Sequence, residues 1–151
     1  MDLVAHLLPD PTVLDAQDTT VIADPALITL TVVSRQPTSL CPRCATPATR
    51  VHSRYCRTLA DLPWAGYRSR LLLHVRRFFC AQPACPRKIF TERLPSVLAP
   101  WARRTHRLVR AHQQIGLALG GAAGVRLANA LGFDGGVDLL LHAIRTAPLL
   151  A

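Results

Sequence analysis

Lysine is all but missing from this chain: Lys88 is the single one, and arginine supplies the rest of the 18 basic residues. Acidic residues are scarce where the basic ones gather. Residues 35–112 hold sixteen Arg and Lys against Asp61 and Glu92 alone. Two-metal phosphoryl transfer needs several carboxylates converging on magnesium. The residues after this segment add only Asp134 and Asp138, which excludes that chemistry. No Gly-rich phosphate loop, nucleophile elbow or open zinc motif occurs. No apolar run approaches the roughly 18 residues of a membrane helix. The longest weakly polar stretch, Ile115 to Val125, is short and glycine-rich. The N-terminus has no basic region, and Pro9, Asp10 and Pro11 break its apolar stretches, so a secretory signal is not expected. What remains is a binding module in a cytosolic setting, where paired thiols favour metal over disulfide.

The charge is uneven. The net charge is +9, yet residues 1–34 carry five aspartates and neither Lys nor Arg. A basic centre of this kind points to a polyanion. Arginine suits forked contacts to phosphate or guanine. A GC-rich genome would also favour arginine over lysine, but it would not cluster it.

Two cysteine pairs bracket the arginine-rich segment: Cys41-Pro42-Arg43-Cys44, and Cys80 with Cys85, separated by four residues. Each pair can place two thiolates on one tight turn, and two such turns make a closed tetrahedral zinc site. Cys41, Cys44, Cys80 and Cys85 are therefore the expected ligands of one structural zinc ion. A rival set, Cys41, Cys44, His52 and Cys56, lies within 16 residues but leaves Cys80 and Cys85 without a role. Cys56 otherwise reads as a small buried residue.

The periodicities predict an α+β chain in three parts. Residues 1–34 form a β-hairpin element, with strands over 19–23 and 26–34 around the turn signal Asp24-Pro25. Residues 35–98 form a zinc-ribbon-like finger. Its clearest strand is Tyr67 to Cys80, with Asp61 to Gly66 as the turn before it. Trp64 and Phe79 read as core. Residues 99–151 form a helical linker and helix-turn-helix. One helix runs from Trp101 to a stop at Gly120-Gly121, with an apolar stripe through Leu108, Ala111, Ile115, Ala118 and Leu119. A second covers 122–131, ended by Gly132. A third covers 137–146, ended by Pro148. Two short helices joined by a glycine-containing turn outline a helix-turn-helix.

Arginines interleaved with Tyr55, Trp64 and Tyr67 resemble a nucleic-acid surface. Arg54, Arg57, Arg68, Arg70, Arg76 and Arg77 are the candidate phosphate contacts. Arg103, Arg107 and Arg110 extend the track along the first helix, where no acid at i+4 neutralises them. Base reading would fall to His142 and Arg145 on the third helix. An alternative from another class is a protein-interaction module: the apolar stretch 137–151 would pair with a second copy or a larger partner.

Taken together the segments resemble the N-terminal part of ISL-three family insertion-sequence transposases, from about Leu14 to Arg145. The match is carried by Cys41-Pro42-Arg43-Cys44, His52-Ser53-Arg54-Tyr55 with Arg57, Asp61-Leu62-Pro63 with Gly66, and Val75-Arg76-Arg77-Phe78. It continues through Cys80-x4-Cys85-Pro86-Arg87 and Ile89 to Pro95, then Arg104-Thr105, Leu119-Gly120-Gly121 and Leu131-Gly132. The resemblance implies binding of double-stranded DNA at an element's terminal repeats, in the cytoplasm at the nucleoid. On the protein-interaction alternative, the partner is a second copy or a full-length transposase. The family continues into an RNase H-like catalytic domain that this sequence does not contain. Gly135-Gly136 replaces a Ser or Thr near the start of the last helix. Both departures suggest a truncated remnant that does not catalyse transposition by itself.

Overall fold

The computed structural model describes residues 2–148 and is mixed α+β, with a zinc-ribbon knuckle pair at one end of its main sheet. A short helix, α1 (Leu3–Leu7), precedes the hairpin β1 (Leu14–Ile22) and β2 (Leu27–Ser34). A two-stranded ladder, β3 (Ser39–Leu40) and β4 (Pro47–Ala48), carries the first cysteine pair. Two long strands follow, β5 (Val51–Trp64) and β6 (Tyr67–Phe79), and then the short β7 (Ile89–Thr91). Three helices close the chain: α2 (His106–Leu119), α3 (Gly121–Ala130) and α4 (Val137–Arg145).

The main sheet runs β1-β2-β6-β5, with β7 added to the far end of β6. The hairpin and the finger thus share one sheet, because β2 lies parallel to β6, with Leu30 beside Leu71 and Val32 beside Leu73. One sheet face is apolar. Leu30, Leu59, Leu71 and Leu73 are fully buried there with Val97 and Leu98 from the segment after β7. Each such leucine contributes about 2 kcal/mol.

Three sequence expectations are corrected here. The segment Asp61 to Gly66 is mostly strand: β5 runs through Trp64, and the turn is Ala65-Gly66 alone. Both residues have positive φ, +50° and +83°, the twist that a two-residue hairpin needs. β5 itself escapes a hydrophobicity reading because its exposed positions are His52, Arg54, Cys56 and Thr58. Second, Phe78 rather than Phe79 is the buried ring. The apolar face of β6 changes side beyond Val75, and Phe78 stacks on Phe90 in a separate small core with Cys41, Ala48 and Cys85. Third, the first long helix starts at His106, not Trp101, with Thr105 as its N-cap. Its buried stripe is Leu108, His112 and Gly116, four residues apart.

The helices are docked onto the sheet. The chain before α2 pairs with β5: the Ala60 amide donates to Arg103 carbonyl at 2.9 Å, and the Thr105 amide donates to Ala60 carbonyl at 3.1 Å. Gly132, at φ +88°, sits against the β5–β6 turn, where a Cβ would stand 2.6 Å from the Gly66 carbonyl oxygen. Gly116 and Gly124 let α4 approach closely. A Cβ on either would meet Ile144 or Leu140 at under 3 Å.

Candidate metal centre and nucleic-acid interface

The four-cysteine centre is built from two turns held by backbone hydrogen bonds. In the first, the Cys41 amide donates to Thr46 carbonyl at 3.0 Å and the Ala45 amide donates to Cys41 carbonyl at 2.8 Å. Ala45 takes the left-handed conformation, φ +58°, that brings Cys44 round beside Cys41. In the second, the Cys80 amide donates to Lys88 carbonyl at 2.8 Å, and the Cys85 amide donates to Gln82 carbonyl at 3.1 Å. Lys88 Nζ closes the loop on Pro83 carbonyl at 3.0 Å.

All four sulfurs lie within 4.8 Å of one another. Cys41 and Cys85 Sγ are 4.0 Å apart, and Cys44 and Cys80 Sγ 3.5 Å. Tetrahedral zinc with bonds of about 2.3 Å sets neighbouring sulfurs roughly 3.8 Å apart, so the geometry fits zinc and is far too wide for disulfides of about 2.05 Å. Cys41, Cys44, Cys80 and Cys85 hold one structural zinc ion. The sulfurs alone do not share charge evenly. Hydrogen bonding from Thr46, first through its hydroxyl and then through its backbone, lowers the Cys44 thiol to about 6. The Gln82 backbone pulls the Cys80 thiol down, but burial and the neighbouring sulfurs together raise it to about 12. A bound divalent cation removes this conflict, since coordinating thiols deprotonate outright. With four thiolates, no position is left for water or substrate.

The rival ligand set does not assemble. Cys56 is exposed on β5 opposite His74 of β6, with Sγ 3.3 Å from Nδ1. It is therefore neither buried nor near the metal. His52 packs its ring edge-on against Phe79, 4.9 Å between centroids.

The candidate cations separate into spent and available groups. Arg107 is not free: Nε and Nη2 donate to the fully buried Asp61 carboxylate at 2.8 and 2.5 Å, and Nη2 also reaches Leu7 carbonyl at 2.7 Å. Thr105 Oγ1 donates to the same carboxylate at 2.7 Å. An acid 46 residues away thus does what no i+4 neighbour could. Arg76 is likewise paired with buried Glu92, at 3.1 Å through Nε and 2.5 Å through Nη2. Arg57 donates to Ala102 carbonyl at 2.5 Å and is half-buried. Arg54, Arg70, Arg77, Arg103 and Arg110 are exposed and have no acidic partner among the described residues. Arg68 meets only the exposed Asp134, at 3.7 Å, a contact of little strength.

Arg54, Arg68 and Arg70 lie with His74 on the uncovered sheet face, while Arg77 stacks 4.8 Å from the Tyr55 ring on the other side of β5. Arg103 precedes α2 instead of joining its stripe, and Arg110 is an exposed α2 residue. His142 and Arg145 are exposed on α4, whose Leu140 and Ala143 are buried. Sequence reasoning passed over four exposed cations at the zinc end, Arg43, Arg50, Arg87 and Lys88. Their position beside the cysteines was the available signal. It also passed over His112, buried on α2 with Nε2 unpaired and its ring against Phe133.

Residues 37–87 match the family described as the zinc-finger of transposase IS204/IS1001/IS1096/IS1165. No curated protein and no solved structure matches the chain. No helix among the described residues is long and apolar enough to cross a membrane.

Proposed function

We propose, from the match of residues 37–87 to a transposase zinc-finger family, that this chain is a DNA-binding module of transposase origin. The observation that carries the reading is the set of exposed arginines: Arg54, Arg70 and Arg77, with the weakly paired Arg68, on a sheet fixed at one end by the metal, and Arg103 before α2 and Arg110 in it. β5 is the edge strand, paired only with β6 from Val51 to Thr58, so its side chains reach both faces at an open rim. Duplex DNA lying along that rim meets Arg54 and the zinc-end cations Arg43 and Arg50. The target is the terminal repeat of a related element, with α3 and α4 as a helix-turn-helix and His142 and Arg145 as base readers. The module works at the nucleoid in the cytoplasm. The metal itself takes no part in catalysis, because a closed tetrathiolate site has no open coordination position.

The test is anisotropy titration of the zinc-loaded protein with duplex terminal repeats over a salt series. Six phosphate contacts give a log–log slope of about −5, a loss near a thousandfold between 50 and 200 mM salt. A flat response refutes the reading. A second reading, self-association or pairing with a full-length transposase, is favoured by exposed Leu117, Leu127, Leu131 and Val137 on the helices. Gel filtration separates the two: a monomer that binds DNA supports the first, and an oligomer indifferent to DNA the second.

A further inference from the structure

Trp101 stands out from the rest of the molecule. The residue is 76% exposed, although large apolar surface is normally hidden. Its backbone is held at φ +64°, a conformation that bulky residues rarely adopt and that marks sites where the surrounding chain enforces a geometry. The surrounding chain does so here: Ala102 carbonyl is clamped by Arg57, and the next residues pair with β5 at Ala60. The indole is presented to solvent, with the Arg93 guanidinium 5.3 Å from its ring centre.

Beside it opens a cavity of about 310 Å³, between the first cysteine turn and the segment leading to α2. Its walls are mostly apolar, including Leu73, Val75 and Leu98, and its polar edge is Tyr55, Arg57 and Arg93. The single carboxylate in the lining, Glu92, is already neutralised by Arg76. The opening is thus largely apolar, aromatic on one side and positive at its rim. A planar, uncharged ring attached to an anionic backbone fits those features. An acidic or aliphatic peptide would leave the indole plate or the guanidinium fork without a partner.

We propose that this groove takes an unpaired nucleobase of bound DNA, stacked on Trp101, with Arg93 facing its phosphate. The inference rests on the DNA-binding reading above. β5 makes the two compatible: Arg54 faces the open side of the sheet while Tyr55 and Arg57, its near neighbours on the same edge strand, face the groove. A duplex along the rim can therefore turn a frayed or overhanging base inward.

The experiment compares a blunt labelled duplex with the same duplex carrying a three-nucleotide single-stranded overhang, by anisotropy on the zinc-loaded chain. Wild type binds the overhang duplex about tenfold more tightly, the effect of one stacked base. Trp101→Ala loses that preference and keeps blunt-duplex affinity within about twofold, whereas Trp101→Phe keeps most of the preference. Because the indole is solvent-exposed, its removal leaves the cores intact, which circular dichroism checks. Equal wild-type affinity for both duplexes overturns the groove assignment alone, as does a Trp101→Ala variant that weakens both equally. A protein that binds neither duplex refutes the DNA-binding reading and this inference with it.

Discussion

Asp61→Ala should loosen the helices from the sheet without touching the metal. The Asp61 side chain is fully buried and accepts hydrogen bonds from Thr105 Oγ1, Arg107 Nε and Arg107 Nη2. Removing it leaves the Arg107 guanidinium, only 27% exposed, facing a void, and leaves the Thr105 hydroxyl without its acceptor. Breaking a buried pair by deleting one partner costs about 3–5 kcal/mol. Partial exposure of Arg107 puts this case at the low end, about 3 kcal/mol. For a chain of this size that lowers the melting temperature by roughly 6–12 °C. The assay is thermal and urea denaturation with zinc in excess, because metal release would otherwise add a second transition. Hydrogen exchange localises the loss: amides of α2 should lose protection while those of the cysteine turns keep it. A double-mutant cycle with Arg107→Ala should return a coupling energy of about 2 kcal/mol. A melting shift under about 2 °C, or uniform loss of protection, would show that apolar packing alone holds the helices in place.

Purified protein should carry one zinc per chain by metal analysis; Cys85→Ser should abolish it and Cys56→Ser should leave it unchanged. Loss of zinc in Cys56→Ser would restore the ligand set that the geometry rejects. His112 supplies a pH dependence. Burial, reinforced by Arg104, lowers its folded pKa below the ordinary value of 6.5, against smaller raising effects from Asp134. The folded state therefore prefers the neutral ring while the unfolded chain takes up a proton. The stability from this group is complete above about pH 6.5 and falls as the pH drops further, by at most about 1.4 kcal/mol per pH unit. His112→Phe should melt with a shallower pH dependence between pH 6.5 and 5.5 than wild type. Parallel curves for the two proteins would remove His112 as the cause.

Residue spacing alone determined the metal site and much of the local structure. Two close cysteine pairs can converge on one ion whatever lies between them, so Cys41, Cys44, Cys80 and Cys85 were readable without a fold. The alternation along β2 and β6, and the glycines at 120 and 132, likewise report torsional preferences that belong to each short segment. Tertiary structure decided everything that depends on a partner distant in sequence. β2 lies parallel to β6, Asp61 neutralises Arg107, Glu92 neutralises Arg76, and Phe78 is buried in preference to Phe79. A list of arginines shows how much positive charge the chain carries. Which arginines remain free depends on where buried carboxylates arrive, and loop closure over tens of residues leaves no local trace in the sequence. The same holds for Trp101, whose exposure comes from a backbone fixed by Arg57 and Ala60, more than 40 residues earlier.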